Sequence, residues 1–156
     1  MRVRVIAVGT RMPAWVRTAC TDYLRRMKGG FAVALTELEA APRTTGGEVD
    51  KAIAAEGRRL LGALRPADHV VALDERGKQL STRELSAWLA TRLQQGEDLA
   101  FLIGGADGLA PQVLTRSNFI LSLSRLTLTH ALARVLLTEQ LYRAHGILLN
   151  HPYHRD

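Results

Sequence analysis

Two stretches of the chain combine residue types and spacings that chemistry can use. The first is Gly104, Gly105 and Gly108, which follow the apolar run Leu99 to Ile103. Without a Cβ the backbone takes up positive φ and approaches a ligand closely. The spacing is neither the G-x-G-x-x-G of dinucleotide sites nor a phosphate loop ending in Gly-Lys-Ser/Thr, and a tight turn with no ligand explains the glycines about as well. The second stretch is the C-terminal third. Leu123, Ser124, Arg125, Leu126, Thr127 and Leu128 lead into His130, Arg134, Glu139 and Arg143, and the chain ends with His151, Pro152, Tyr153, His154 and Arg155. His130 and Arg134 stand four apart and share a helix face, as do Glu139 and Arg143; the second pair reads as an ordinary surface ion pair. Histidines at 145, 151 and 154 raise the question of a metal, but no carboxylate or cysteine joins them at a recognised spacing, and no metal is expected.

These residues need elements to hold them. Apolar runs alternate with amphipathic stretches from end to end, the pattern of an α/β domain. Val3 to Val8 reads as a first strand closed by Gly9, and Pro13 opens a helix to about Lys28, stopped by Gly29 and Gly30. Phe31 to Leu38 gives a second strand, Pro42 to Gly47 a loose loop, and Glu48 to Leu64 a second helix before Pro66. Val70 to Leu73 forms a short buried strand, followed by a polar turn over Asp74 to Lys78. Ser81 and Glu84 make a capping box for a helix with Leu85, Trp88, Leu89 and Leu93 on one face. Beyond the glycines come a short helix near Pro111 to Arg116, a fifth strand over Phe119 to Leu123, a loop over Ser124 to Thr129, a last helix over Ala131 to Ala144, and a polar, aromatic tail. Strands that are apolar throughout imply a mostly parallel sheet flanked by helices on both faces, with ligands at the carboxyl ends of strands. Leu73, Gly104 and Leu123 mark three such ends.

At 156 residues, 47% apolar and 23% charged, the chain reads as one soluble domain, 1–156, large enough to fold without disulfides or metal. The single Cys20 favours a reducing compartment and reads as a small core residue. The amino terminus, MRVRVIAVGTRMP, never reaches the unbroken apolar run of a signal peptide or membrane span, so a cytoplasmic protein is expected. The net charge of +6 is unevenly placed: Arg2, Arg4, Arg11, Arg17, Arg25, Arg26 and Lys28 face Asp22 alone within the first thirty residues. Such a patch suits a polyanion, or is a solvated face kept for solubility.

Three runs then carry a resemblance: FLIGGADGL, SLSRLTLTHALARVLLTEQLYRA and the ending NHPYHRD. Together they resemble the RlmH (YbeA) family, the ribosomal RNA large subunit methyltransferase H group of the SPOUT superfamily. The resemblance spans essentially the whole chain, because the opening strand with VGT and the LDERGKQLST segment fall in the expected order. It implies an α/β homodimer with a C-terminal trefoil knot over about 100–150. The implied activity is transfer of a methyl group from S-adenosylmethionine to N3 of a pseudouridine in the large-subunit stem-loop called helix 69, on the assembled ribosome. Cofactor contacts carried over by position fall on Leu73, on Gly104 with its neighbours Gly105 and Gly108, and on Leu123, Ser124, Arg125, Leu126, Thr127 and Leu128. The family's lysine-rich stretch after the second strand is reduced here to APRTTGGEVDK, and Arg125 has no physical account.

A sulfonium donor carries its own activating charge, so the enzyme's task is to align the methyl group and exclude water. The imide N3 must lose its proton, which calls for a base or for cations that stabilise the anion. Candidates are His130, His154, Tyr153, Arg134 and Arg155. His154 is assigned substrate contact or proton acceptance, Arg155 and Arg134 anion stabilisation, and Tyr153 positioning of an extruded base; the tail alternatively caps the dimer interface. The resemblance also places one subunit's tail near the other's cofactor. Arg17, Arg25, Arg26 and Lys28 then offer phosphate contacts weakened by salt. Rival readings are a sibling enzyme acting on tRNA, a ribosome-associated binding protein without turnover, and a small nucleotide binder.

Overall fold

Strands with apolar residues on both sides need helices over both faces, and the chain supplies strands and helices in strict alternation. The elements are β1 (Arg2–Val8), α1 (Ala14–Arg26), β2 (Ala32–Leu38), α2 (Val49–Gly62), β3 (His69–Gln79), α3 (Thr82–Gln94), β4 (Leu99–Ile103), α4 (Pro111–Arg116), β5 (Phe119–Ser122) and α5 (His130–Leu148). The structure, a computed structural model, describes residues 1–43 and 48–150. The five strands form one sheet in the order β2-β1-β4-β3-β5, and every pairing is parallel. β4, buried along its whole length, lies at the centre.

The alternation of side chains along each strand divides the core in two. Val3, Val5 and Ala7 of β1 and Leu99, Phe101 and Ile103 of β4 pack with Leu85 and Leu89 of α3 and Leu137 and Leu141 of α5. Ile6, Val8, Ala100 and Leu102 face the other way, onto Leu60 of α2 and Val113 of α4. Cys20 lies in a small cluster with Met12 and Val16, and burial pushes its thiol pKa up, as suits a core residue.

Local signals set the helix starts. Ser81 Oγ accepts from the Glu84 amide at 3.1 Å while Glu84 Oε2 accepts from the Ser81 amide at 2.7 Å, the reciprocal cap read from the sequence. Thr129 does the same on one side for α5, accepting from the Leu132 amide at 3.2 Å.

Two boundaries differ from expectation. Asp74 to Lys78 is not a turn; β3 continues through it to Gln79, with its register against β5 shifting between Leu73 and Lys78. Past Ala72 the strand has left β4 and pairs with β5 alone, so its bulged continuation can carry polar residues, one side of it having left the core. The last helix runs four residues past Ala144. His145 accounts for the extension, since it is buried, donates from Nε2 to the Gly29 carbonyl at 2.7 Å and packs edge-on against Phe31. Among the described residues no helix is long and apolar enough to cross a membrane.

Candidate active site

The carboxyl ends of β3, β4 and β5 open into one cleft of about 820 Å³, a volume in the range of small-molecule sites. Three connections build its walls. After β4, Gly104 to Leu109 form a hairpin-like turn in which the Gly108 amide donates to the Gly105 carbonyl at 3.2 Å. A Cβ on Gly104 would stand 2.6 Å from the Gly108 carbonyl oxygen, so this glycine is demanded by the turn itself rather than by a ligand. Gly108 is the opposite case: its φ is +84° and a Cβ there would meet nothing within 4 Å, leaving bare backbone on the cleft wall.

After β5, the segment from Leu123 to Thr129 forms the second wall. Ser124 Oγ accepts from the Leu126 amide at 2.9 Å, a tight turn that leaves Arg125 exposed at its apex. Leu123, Ser124, Leu126, Thr127 and Leu128 line the cleft with Leu73, Gly104, Gly105 and Gly108; Arg125 does not. Leu126 is 74% exposed, a large apolar side chain standing at the rim. The continued part of β3 supplies the third wall: Asp74, Glu75 and Arg76. Thr127 Oγ1 donates to Glu75 Oε2 at 2.7 Å and ties the two walls together. The Arg76 side chain beside Asp74 holds that carboxyl below the usual carboxylate range.

His130 closes the floor. Burial lowers its pKa, and the nearby Arg134 charge lowers it further, so the imidazole is neutral at pH 7. Its Nδ1 is buried and has no hydrogen-bond partner among the described residues. Arg134, one turn along α5, is only 1% exposed and lies in the core rather than the cleft. Its guanidinium is ion-paired with Glu37 of β2 and donates to the carbonyls of Gly9 and Val8 at 3.1 and 3.4 Å. That arrangement fastens α5 to the end of β1.

The remaining sequence candidates fall elsewhere. Arg17, Arg25, Arg26 and Lys28 are exposed on α1 and just beyond it, with Arg26 ion-paired to Asp22 at 3.0 Å. Glu139 and Arg143 form the expected ion pair. Tyr153, His154 and Arg155, with His151, lie outside the described residues. Among the described residues no three His, Cys, Asp or Glu side chains gather where they could hold a metal. Reading the sequence missed Asp74, Glu75, Arg76 and Asp107 as cleft residues, although the first three directly follow an apolar run and so signalled a strand's carboxyl end.

A parallel sheet whose three neighbouring carboxyl-end loops converge on one cleft, with a self-closing glycine turn at its centre, is the architecture of an α/β domain that binds a small molecule. The chain belongs to the SPOUT methyltransferase family: the sequence model described as "Predicted SPOUT methyltransferase" matches residues 1–154. It is therefore a methyltransferase. Its relatives include the ribosomal RNA large subunit methyltransferase H of Thiobacillus denitrificans, 49% identical over 156 residues and covering 100% of both chains. That of Paraburkholderia phytofirmans is 47% identical over 155 residues, covering 99% of each. Among solved structures, a probable methyltransferase from Bordetella pertussis Tohama I superposes with a TM-score of 0.57 at 20% identity, over 92% of this chain and 95% of that one, a likeness of fold.

Proposed function

We propose that this protein methylates large-subunit ribosomal RNA, at N3 of a pseudouridine in the helix 69 stem-loop, with S-adenosylmethionine as donor and the assembled ribosome as substrate. The observation that carries the reading is the cleft itself, built from the segments FLIGGADGL and SLSRLTLTH in a chain 49% identical, end to end, to a ribosomal RNA large subunit methyltransferase H. Its volume accommodates a nucleoside-sized donor, and the bare Gly108 wall admits one closely. Asp74, Glu75 and Asp107 against Arg76 give the lining an acidic balance, which suits a cation. When bound, the donor supplies a methyl group on a positively charged sulfur.

The chain's own residues do the rest. Leu73, Leu126 and Leu128 exclude water around the transferring methyl group. The N3 proton needs an acceptor, and His130 offers a neutral imidazole at the cleft floor, with His154 as the second candidate from the tail. Tyr153 and Arg155 serve the RNA side, the first by stacking on the base and the second by stabilising the N3 anion. Arg134 is a positioning residue that holds α5 and with it His130. The basic residues of α1 bind phosphates.

The active form is a homodimer in which one subunit's tail completes the partner's site, and the segment 100–150 is threaded as a trefoil knot. Exposed Trp15 on α1 and Leu132 on α5, two helices packed together, support an apolar contact between subunits.

The test is transfer of labelled methyl from S-adenosylmethionine to ribosomes lacking the modification, with the product nucleoside identified by mass spectrometry. A methylated pseudouridine confined to the large-subunit stem-loop is expected. Donor binding without transfer would move the assignment to another RNA, tRNA first. His154→Ala should depress transfer and spare donor binding; loss of donor affinity would refute this division of roles.

A further inference from the structure

One buried charged cluster is unused by the reaction described above. Glu56 on α2 is 2% exposed, deep enough that its charge must be matched. Arg43 matches it, ion-paired through Nη1 to Oε2 and donating from Nη2 to Oε1 at 3.1 Å, while the Ala41 amide donates to Oε2 at 3.0 Å. The same guanidinium turns Nε toward the cleft and donates to Asp107 Oδ2 at 3.0 Å. Asp107 belongs to the glycine turn. A Cβ on Gly105 would stand 3.0 Å from Glu56 Oε1, so the turn rests directly on the carboxylate. One side chain thus joins the segment after β2, the inner face of α2 and the outer edge of the cleft wall.

We infer that Arg43 and Glu56 are positioning residues for the methyl donor: bonded through Asp107, they hold the turn 104–108 in the shape that receives it. This rests on the reading of the cleft as the donor site. The guanidinium is suited to the task because its planar fork serves two carboxylates in fixed directions at once. A lysine is a point charge that can satisfy Glu56 while releasing Asp107.

The experiment is titration calorimetry of S-adenosylmethionine into the full chain, beside thermal unfolding and kinetics on ribosomes. Arg43→Lys should melt within a few degrees of wild type yet bind donor about tenfold more weakly, as expected for removal of one charge-assisted hydrogen bond. Its KM for donor should rise in step while kcat changes little. Arg43→Met combined with Glu56→Gln removes both charges without stranding a buried carboxylate and should show the same loosening. Donor affinity at the wild-type level in both variants overturns the inference, as does a lowered melting temperature with KM unchanged, the mark of a merely structural pair. A wild-type chain that binds no donor overturns the reading of the cleft, and the inference with it.

Discussion

Gly104→Ala is the sharpest probe of how the cleft is built. The added methyl carbon would lie 2.6 Å from the Gly108 carbonyl oxygen, 2.7 Å from its carbon and 3.1 Å from Leu109 Cδ2, where ordinary contact begins at 3.4 Å. The turn must therefore open by about 0.8 Å at the Gly108 carbonyl. Overpacking of this kind costs about 1–3 kcal/mol, and at this chain length each kcal/mol lowers the melting temperature by roughly 3 °C. A displacement near 1 Å beside reacting groups costs on the order of 100-fold in rate, so kcat/KM for methyl transfer should fall by about that factor. Two controls separate sterics from general fragility. Gly62→Ala, at the end of α2 with nothing within 4 Å, should leave kcat/KM unchanged and melt at or slightly above wild type, as alanine suits a helix better than glycine. Gly108→Ala meets no protein atom but keeps a φ of +84° and puts a methyl group on the wall that admits the donor, so it should lose roughly 1 kcal/mol to backbone strain and show its activity loss as a raised KM for donor. Thermal unfolding and initial rates on ribosomes suffice. Wild-type melting and wild-type kcat/KM in Gly104→Ala would refute the claim that the turn closes on itself.

Three further expectations follow from the same geometry. Arg134→Met removes the buried partner of Glu37 and the donors to Gly9 and Val8, and should cost about 3 kcal/mol in urea unfolding; unchanged stability would contradict the core role given to this arginine. His130 has a folded-state pKa below its usual 6.5, so the unfolded chain binds the proton more readily, and stability should be full above pH 6.5 and decline as pH falls toward the folded value. His130→Gln should flatten that decline in urea midpoints measured from pH 7.5 to 5, and a slope identical to wild type would count against it. Alanine at Arg17, Arg25, Arg26 or Lys28 should weaken RNA binding uniformly and reduce the slope of log K against log salt by about one for each phosphate that the side chain neutralises; an unaltered slope in all four removes α1 from the interface.

Much of the scaffold was legible because its signals are local. The unbroken apolar run of β4, the Ser81 and Glu84 cap and the stops at Gly29 and Gly30 each act within a few residues. The three strand ends Leu73, Gly104 and Leu123 also converge as expected, since parallel sheets gather carboxyl ends on one side. What escaped was long-range. Asp74 to Lys78 looks like a turn until β5 arrives beside it, and only then can polar residues extend a strand. Arg134 reads as an anion-binding surface cation because its partner Glu37 lies 97 residues away. Gly104 is a required residue for a reason the sequence hides, the carbonyl of Gly108 folded back over it. Glu56, an ordinary helix carboxylate in the sequence, becomes the base of the cleft wall only when Arg43 and the glycine turn close around it.

The register Val3↔Leu99 has a consequence for synthesis. The first strand made is the sheet's near-central member, yet one of its two edges stays empty until nearly a hundred residues more have been translated, a delay of roughly ten seconds at ordinary elongation rates. Nor is it fastened at its end until α5 delivers Arg134 to Gly9. An unpaired apolar strand is a template for aggregation, and charged residues set within it are the usual safeguard. The opening Arg-Val-Arg-Val provides them. Arg2 later finds Asp98, just ahead of the strand β4 that fills the empty edge, and Arg4 finds Asp68, just ahead of β3, which pairs with β4 in turn, so the charges that protect the nascent edge are neutralised as the sheet is completed.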